Sequence, residues 1–163
     1  MTWRVGLGVG TYVAFLLAVL GALAWTTGTA ILLPSLGPSA YVLAAINDQP
    51  RRVVVGQLAS VLAAFLAVLL FASGAAPLLD AAPQSLAGLQ RVAAALAATV
   101  AATVAMYATE SLHPPAYATV LIVSLGIADG VGDVLAFAVG VFVLVGAHVA
   151  VGRHGPWKPP YSL

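Results

Sequence analysis

An acid, a histidine and two consecutive prolines stand close together in segment 110–117, inside sequence that is otherwise strongly apolar. Glu110 and His113 can hold or transfer protons, and histidine in particular titrates near neutral pH. Pro114 and Pro115 remove two backbone donors and interrupt a helix. A charged side chain at bilayer depth costs roughly 2.5–3.5 kcal/mol on insertion scales. Such a segment is therefore expected to line a cavity or to be buried in protein.

The composition indicates what surrounds this segment. Of 163 residues, 62% are hydrophobic and only 7% are charged, whereas soluble domains carry about 25% charged residues. The fold is therefore predicted to be all-α and polytopic, with the lipid bilayer as a partner. The net charge of +1 offers no basic face for nucleic acid. The lack of cysteine excludes disulfides and thiolate chemistry.

Four apolar runs approach or exceed the roughly 20 residues that a spanning helix needs, namely 5–25, 53–72, 86–107 and 134–151. Two shorter apolar pieces, 39–46 and 116–128, each follow a proline break and are predicted to be half-helices. The chain is expected to form a single membrane domain, 1–163, with a solvated polar tail at 153–163. A signal peptide in the first run is the alternative that its basic start leaves open.

An internal repeat relates the two halves of the chain. At an offset of 76 positions, 35–41 aligns with 111–117, and five of the seven pairs are identical. The predicted units, about 1–76 and 77–152, each contain a long helix, a proline break, a short helix and a long helix. Short helices that only re-enter the membrane would make the copies parallel. Short helices that cross would make them inverted, and the positive-inside bias favours this arrangement, with both termini cytoplasmic.

The inverted arrangement predicts an anion site. Both short helices would begin near the bilayer midplane and face one small volume. Their first turns would present unpaired backbone donors and positive dipole ends, which attract a small anion. The predicted binding residues come from both copies: Ser35, Gly37, Pro38, Ser39 and Tyr41 from the first, and Ser111, His113, Pro114, Pro115 and Tyr117 from the second.

Two of the ionisable residues are also candidates for proton coupling or gating. His113 can donate to an anion when protonated, or it can be a neutral histidine bonded to a backbone carbonyl. Glu110 can hold His113 protonated, take part in the coupling, or cap the short helix. Arg91 is expected to snorkel to an interface, and His148 is expected to serve packing.

Metal, cofactor and enzyme functions are not predicted. The three histidines show no i, i+4 spacing and there is no cysteine set. Ser111 lies two residues from His113, but no acid arrangement or nucleophile elbow accompanies the pair. The alternative to anion transport is a membrane scaffold or accessory subunit without transport.

The segment 112–119, LHPPAYAT, resembles the signature of the HPP family of integral membrane proteins. Segment 37–40 resembles the family's earlier Gly-Ala-Ser-Ala element, and 49–56 resembles its Gln-Pro-Arg turn and following glycine. The resemblance covers roughly 30–150. Three positions depart from the family pattern: Pro38 stands where alanine is common, Tyr117 where glycine is common, and Gln57 where histidine is frequent.

The resemblance implies a small membrane transporter, often described with four spans, for which nitrite transport is reported in photosynthetic members. Nitrite or a similar small inorganic oxyanion is therefore the expected substrate, and it would cross the plasma membrane through a carrier or a channel, between which the sequence does not decide. We also expect a homo-oligomer, because a chain of 163 residues has little protein with which to bury a polar centre.

Overall fold

The computed structural model describes residues 3–46, 48–128 and 130–154, and all regular structure within them is helical. Its six helices are α1 (Trp3–Thr27), α2 (Leu32–Ala45), α3 (Pro50–Phe71), α4 (Leu86–Ala108), α5 (Ala116–Ser124) and α6 (Val131–His154). The long helices α1, α3, α4 and α6 are apolar enough to span a membrane. The prediction of four long and two short helices is confirmed. Asp129 and most of the predicted tail, 155–163, lie outside the described residues.

The first short helix begins earlier than predicted. α2 starts at Leu32 and carries Pro38 in its interior, so the prediction that a half-helix begins near Ser39 is wrong. Pro34 occupies the first turn, where helix amides lack an intrahelical partner in any case. Pro38 stands four residues later, so the amide it lacks is the one that would have bonded to the Pro34 carbonyl. The two prolines together remove one helical bond without ending the helix.

The second short helix starts where the sequence predicts and ends sooner. α5 begins at Ala116 with Pro115 as its N-cap. Gly126, at φ +78°, ends the helix. Its amide donates to the carbonyl of Val123, and the next amide donates to the carbonyl of Ile122. This pair of bonds is a Schellman motif, and it turns the chain before the predicted boundary at residue 128.

Contacts between helix ends give the directions of the helices. Arg51, at the start of α3, donates to the Thr109 carbonyl beyond α4 at 3.2 Å. We call this side of the bundle the Arg51 end. The Leu78 amide, between α3 and α4, donates to the Leu125 carbonyl beyond α5 at 2.9 Å. That side also holds Arg91, and we call it the Arg91 end.

The two halves of the chain enter the bundle from opposite ends. α3 and α5 run from the Arg51 end towards the Arg91 end, and α4 runs back. α6 follows α5 and so runs towards the Arg51 end, where its His148 meets Tyr12 in the first half of α1. The inverted relation between two copies of one unit stays a prediction.

α3 lies at the centre of the bundle, packed against α4, α5 and α6, while α2 packs against α1, α5 and α6. The outward side chains of the long helices are mostly large and apolar, as lipid contact requires, and include Leu7, Phe15, Leu66, Leu96, Val100 and Leu135. The polar side chains discussed next lie inside, where α2, α3 and α5 meet.

Candidate functional site

Five polar side chains from separate parts of the sequence form one hydrogen-bonded row, which we call the polar chain. Asp48 precedes α3, His113 precedes α5, and Ser39, Gln57 and Thr119 lie within α2, α3 and α5. Because the apolar helices bring these groups together away from lipid, each finds its partner inside the protein.

Short contacts join the members of the polar chain in sequence. His113 places Nδ1 2.8 Å from Oδ2 of Asp48 and Nε2 2.8 Å from Oγ of Ser39. The Gln57 amide donates to the same Ser39 oxygen at 2.7 Å. At the inner end, the Thr119 hydroxyl donates to Oε1 of Gln57 at 2.7 Å.

One arrangement of protons fits the network when His113 is neutral. Because Gln57 donates to Ser39 Oγ, the Ser39 hydroxyl proton is available for Nε2 of His113. A histidine that accepts at Nε2 carries its proton on Nδ1, where it donates to Asp48. With neutral His113, each of the five side chains therefore has a hydrogen-bond partner within the polar chain.

Only the Asp48 end of the polar chain reaches the surface. Ser39, Gln57, His113 and Thr119 are fully buried, whereas the Asp48 side chain is 11% exposed. Asp48 lines a crevice of about 410 Å³ together with Val42, Ile46, Arg52, Leu112, Pro114 and Pro115. Asp48 is therefore the member of the polar chain that lines the crevice, and His113 lies directly behind it.

Gly56 lets the histidine segment approach α3. A Cβ atom at Gly56 would lie 2.7 Å from Cβ of His113 and 2.9 Å from the Ser111 carbonyl oxygen. Both distances are shorter than any tolerated contact. The glycine that follows the Gln-Pro-Arg turn is therefore required by the position of His113.

The site lies between the start and the centre of α3. Gly56 lies six residues after Pro50, about 9 Å along a helix of about 33 Å at 1.5 Å per residue. His113 packs on this glycine. The location of the site near the bilayer midplane stays a prediction.

The predicted pair of open helix N-termini is absent from this region. α2 begins one turn before Ser35. In α5, the amides of Ala116, Tyr117 and Ala118 donate to the carbonyls of His113, Pro114 and Pro115. Since prolines have no amide hydrogen, the first turn of α5 uses its donors internally. The site therefore depends on side chains rather than on free backbone donors.

The predicted residues of the first copy fall into two groups. Ser39 belongs to the polar chain. Ser35 is buried but donates to the Leu32 carbonyl of its own helix, Gly37 packs beside Leu17, and Pro38 is exposed. Tyr41 is 53% exposed and lines a different crevice, against α1.

The second copy contributes His113 to the polar chain, and Pro114 and Pro115 to the crevice. Ser111 is buried and bonds to the Thr109 hydroxyl at 2.6 Å. The Tyr117 hydroxyl lies 2.6 Å from that of Thr103 on α4. The Ser111 and Tyr117 hydroxyls link the chain on either side of His113 to Thr109 and Thr103. They are not part of the polar chain.

Glu110 lies apart from His113. Its side chain is exposed and lines a smaller crevice with Arg52, Met106, Tyr107 and Leu112. Its backbone has φ +51°, because Glu110 is the residue at which the chain turns after α4. The carboxylate that contacts His113 is that of Asp48.

Asp48, Gln57 and Thr119 were not among the predicted site residues. Gln57 left a signal in the sequence, since an amide inside a 22-residue apolar helix needs a buried partner. Asp48 looked like an ordinary turn residue before a proline. Its contact with His113 joins positions 65 apart in the chain, which no local pattern reveals.

Two other polar residues differ from their expected surroundings. Arg91 does not snorkel outwards but is buried at the Arg91 end. His148 is buried between α1 and α6 and lies 3.1 Å from the Tyr12 hydroxyl, so its packing also involves a polar contact. Within the part of the chain that the structure describes, no group of three or more His, Cys, Asp or Glu side chains is placed to hold a metal ion.

The four long apolar helices and the buried polar chain together define a multi-pass helical membrane protein. The family model described as the HPP transmembrane region matches residues 2–159. The chain therefore belongs to the HPP family of membrane proteins. The curated proteins and the solved structures contain no significant match to it.

Proposed function

We propose that this HPP protein carries a small oxyanion such as nitrite across the plasma membrane together with a proton. The observation that supports this most strongly is the polar chain itself, a buried Asp–His–Ser row whose outer end lies in a crevice beside Arg52. As part of the same proposal both termini lie in the cytoplasm, so that the crevice opens on the cytoplasmic side.

Protonation of His113 would change the charge that an anion meets in the crevice. With neutral His113, the Asp48 carboxylate and the Arg52 guanidinium sum to zero. One added proton gives the group a net charge of +1, with Asp48 and His113 forming an ion pair. Since the walls are largely apolar, this charge acts in a low dielectric and attracts the anion more strongly than it would in water. Proton and anion would then bind together.

The same proton would also reverse a hydrogen bond deeper in the protein. A protonated His113 donates from Nε2, so Ser39 must accept from both His113 and Gln57 and turn its own hydrogen elsewhere. The protonation state is thereby transmitted from the crevice to α2 and α3. This supplies two hydrogen-bonding arrangements of the Ser39 hydroxyl, to which a change between transport conformations would be coupled.

Reconstituted liposomes test the transport function. Nitrite uptake into liposomes containing the wild-type chain should exceed that of empty liposomes, and His113→Gln should reduce the excess at least tenfold. Glutamine keeps a polar side chain of similar length but cannot take up the proton. His148→Gln is the matched control, because it makes the same change at the other buried histidine and should keep most of the uptake.

Equal nitrite uptake in wild-type, His113→Gln and empty liposomes would contradict the proposal. The alternative function, a scaffold or accessory subunit, predicts that outcome together with loss of a bound partner in His113→Gln. Nitrous acid crosses lipid unaided, so the empty liposomes must be measured at each pH. Nitrate, whose conjugate acid is strong, is a useful second substrate.

A second candidate function follows from the order of the polar chain. Ser39, His113 and Asp48 are connected as in a hydrolytic triad. Against this, Ser39 Oγ is fully buried and accepts a hydrogen bond from Gln57, so we propose that the chain is not an enzyme. A fluorophosphonate probe should leave Ser39 unlabelled. Labelling of the wild type that Ser39→Ala abolishes would favour the hydrolase instead.

A further inference from the structure

Arg91 is a buried cation at the end of the bundle opposite the crevice. Its side chain is 3% exposed, although it belongs to an apolar spanning helix. Nε donates to the Ala76 carbonyl at 3.2 Å, and Nη2 donates to the Ala75 carbonyl at 2.6 Å. The guanidinium thus holds the loop between α3 and α4.

Part of this guanidinium has no partner. Nη1 is buried and makes no hydrogen bond, and among the described residues the ion pair that the structure shows is between His113 and Asp48. A buried charge is retained at low cost only when it is paired and its donors are satisfied. Nη1 of Arg91 has neither an ion-pair partner nor a hydrogen-bond acceptor. An anion is therefore the group that would complete the surroundings of this guanidinium.

The α5–α6 turn fixes the guanidinium in place. A Cβ atom at Gly126 would lie 2.8 Å from Cζ of Arg91 and 3.0 Å from Nη1. The backbone of this glycine therefore packs directly on the guanidinium. Rigid placement of unsatisfied N–H donors in a site shielded from water is the arrangement that binds oxyanions well.

Two further buried polar atoms without partners lie between the polar chain and Arg91. They are the hydroxyl oxygens of Ser60 and Ser124. Ser60 follows Gln57 by one turn of α3, about 4.5 Å closer to the Arg91 end. Ser124 follows Thr119 along α5 by about 7.5 Å and precedes Gly126, which touches Arg91. Unsatisfied polar atoms are rare in protein interiors. The Ser60 hydroxyl, the Ser124 hydroxyl and Arg91 Nη1 nevertheless continue the direction of the polar chain.

We propose that Arg91 forms a second binding site for a small monovalent oxyanion, at the Arg91 end of the bundle. Nη1 donates to the anion, while Ala75, Ala76 and Gly126 hold the guanidinium. Ser60 and Ser124 then mark polar positions between this site and the crevice. The substrate class rests on the proposed function, whereas the binding site itself does not require transport.

Anion-dependent stability tests the site without measuring transport. The purified chain in detergent is unfolded thermally in sodium nitrite, with sodium gluconate keeping the ionic strength constant. The midpoint of the wild type should rise with nitrite and saturate, as binding to the folded state alone requires. His113→Gln, which prevents proton uptake beside the crevice, should retain a saturable rise, and Arg91→Gln added to that variant should abolish it.

Arg91→Lys covers the case in which Arg91→Gln does not fold. Lysine keeps the charge but cannot hold two carbonyls and present free donors in one plane, so the nitrite concentration at half-saturation should increase about tenfold, equivalent to one lost hydrogen bond. No saturable rise in the wild type, or an equal rise in wild type and Arg91→Lys, would overturn the site and leave Arg91 as a support for the loop. Nitrite binding at Arg91 without flux in liposomes would instead contradict the proposed transport alone.

Discussion

His113 shows how far single residues could be predicted. The repeat aligned it with Gly37 and grouped it with Ser39 in one predicted site, and the His113 and Ser39 side chains are in contact at 2.8 Å. Glu110 was one candidate for its acidic partner, but the structure places Asp48 there. The reason is local: Glu110 occupies the turn after α4 and its side chain points to a surface crevice. Glu110 is close to His113 in the sequence, but the fold brings a carboxylate from a position 65 residues away into contact with it.

At Thr119 we predict a specific stability cost. Thr119→Val keeps the shape of the side chain but leaves Gln57 Oε1 buried without a donor. The free energy of unfolding in detergent should fall by about 1–3 kcal/mol. Thr99→Val is the control, because the Thr99 hydroxyl donates to the Ala95 carbonyl of its own helix. An equal effect of the two substitutions would show that the polar chain contributes no stability.

At Glu110 we predict a gain in stability. Its positive φ angle disfavours any residue with a Cβ atom, at roughly 1–2 kcal/mol for the left-handed region. The Glu110 and Ser111 amides donate to the Tyr107 and Met106 carbonyls, as in a Schellman motif, in which glycine is preferred. Glu110→Gly should therefore raise the free energy of unfolding by about 1 kcal/mol, and Glu110→Ala, which keeps the Cβ atom, should not. Destabilisation by glycine would show that the carboxylate is needed for the fold.

The short helices α2 and α5 position the site at the level of whole elements. Their existence follows from apolar runs broken by prolines, and the sequence predicted both. The start of α2 was not predictable in this way, because prolines four residues apart break one bond and leave the other amides paired. The position of the site along the bundle was also not predictable, since it depends on how far along α3 the 111–113 segment packs, and Gly56 sets that position.

Gly56 gives a prediction at this scale. Gly56→Ala puts a methyl group against His113 and the Ser111 carbonyl, so the segment must move and the free energy of unfolding should fall by about 1–3 kcal/mol. Gly10→Ala on α1 is the control, because a Cβ atom there meets nothing within 4 Å. Alanine also favours the helix, by about 0.5–1 kcal/mol. If both variants had the stability of the wild type, the close packing of His113 on α3 would be contradicted.

For the whole molecule, composition alone predicted the class of protein, and run lengths predicted the four spans. These properties follow from the cost of exposing polar backbone to lipid, which acts on every residue. Orientation depends on the unequal charge of the two ends. Arg4, Arg51 and Arg52 belong to the Arg51 end, while the exposed Asp80 lies at the other. The positive-inside rule therefore predicts that the Arg51 end lies in the cytoplasm.

Cysteine labelling tests this orientation cleanly because the chain has no cysteine of its own. Asp80→Cys and Glu110→Cys replace exposed residues at opposite ends. An impermeant maleimide should label Asp80→Cys in intact cells and Glu110→Cys only after permeabilisation. Labelling of Glu110→Cys alone in intact cells would show the opposite orientation. Labelling of both variants in intact cells would contradict the placement of these residues at opposite ends of the bundle.

The central claim is that His113 moves a proton with each anion, and simultaneous measurement of both tests it most directly. Liposomes containing a trapped pH indicator receive an inward nitrite gradient at equal internal and external pH. We predict that wild-type liposomes acidify as nitrite enters, in a fixed ratio and faster than empty liposomes, and that His113→Gln abolishes both signals. Nitrite entry through the wild type without acidification, or coupled entry that persists in His113→Gln, would contradict the account.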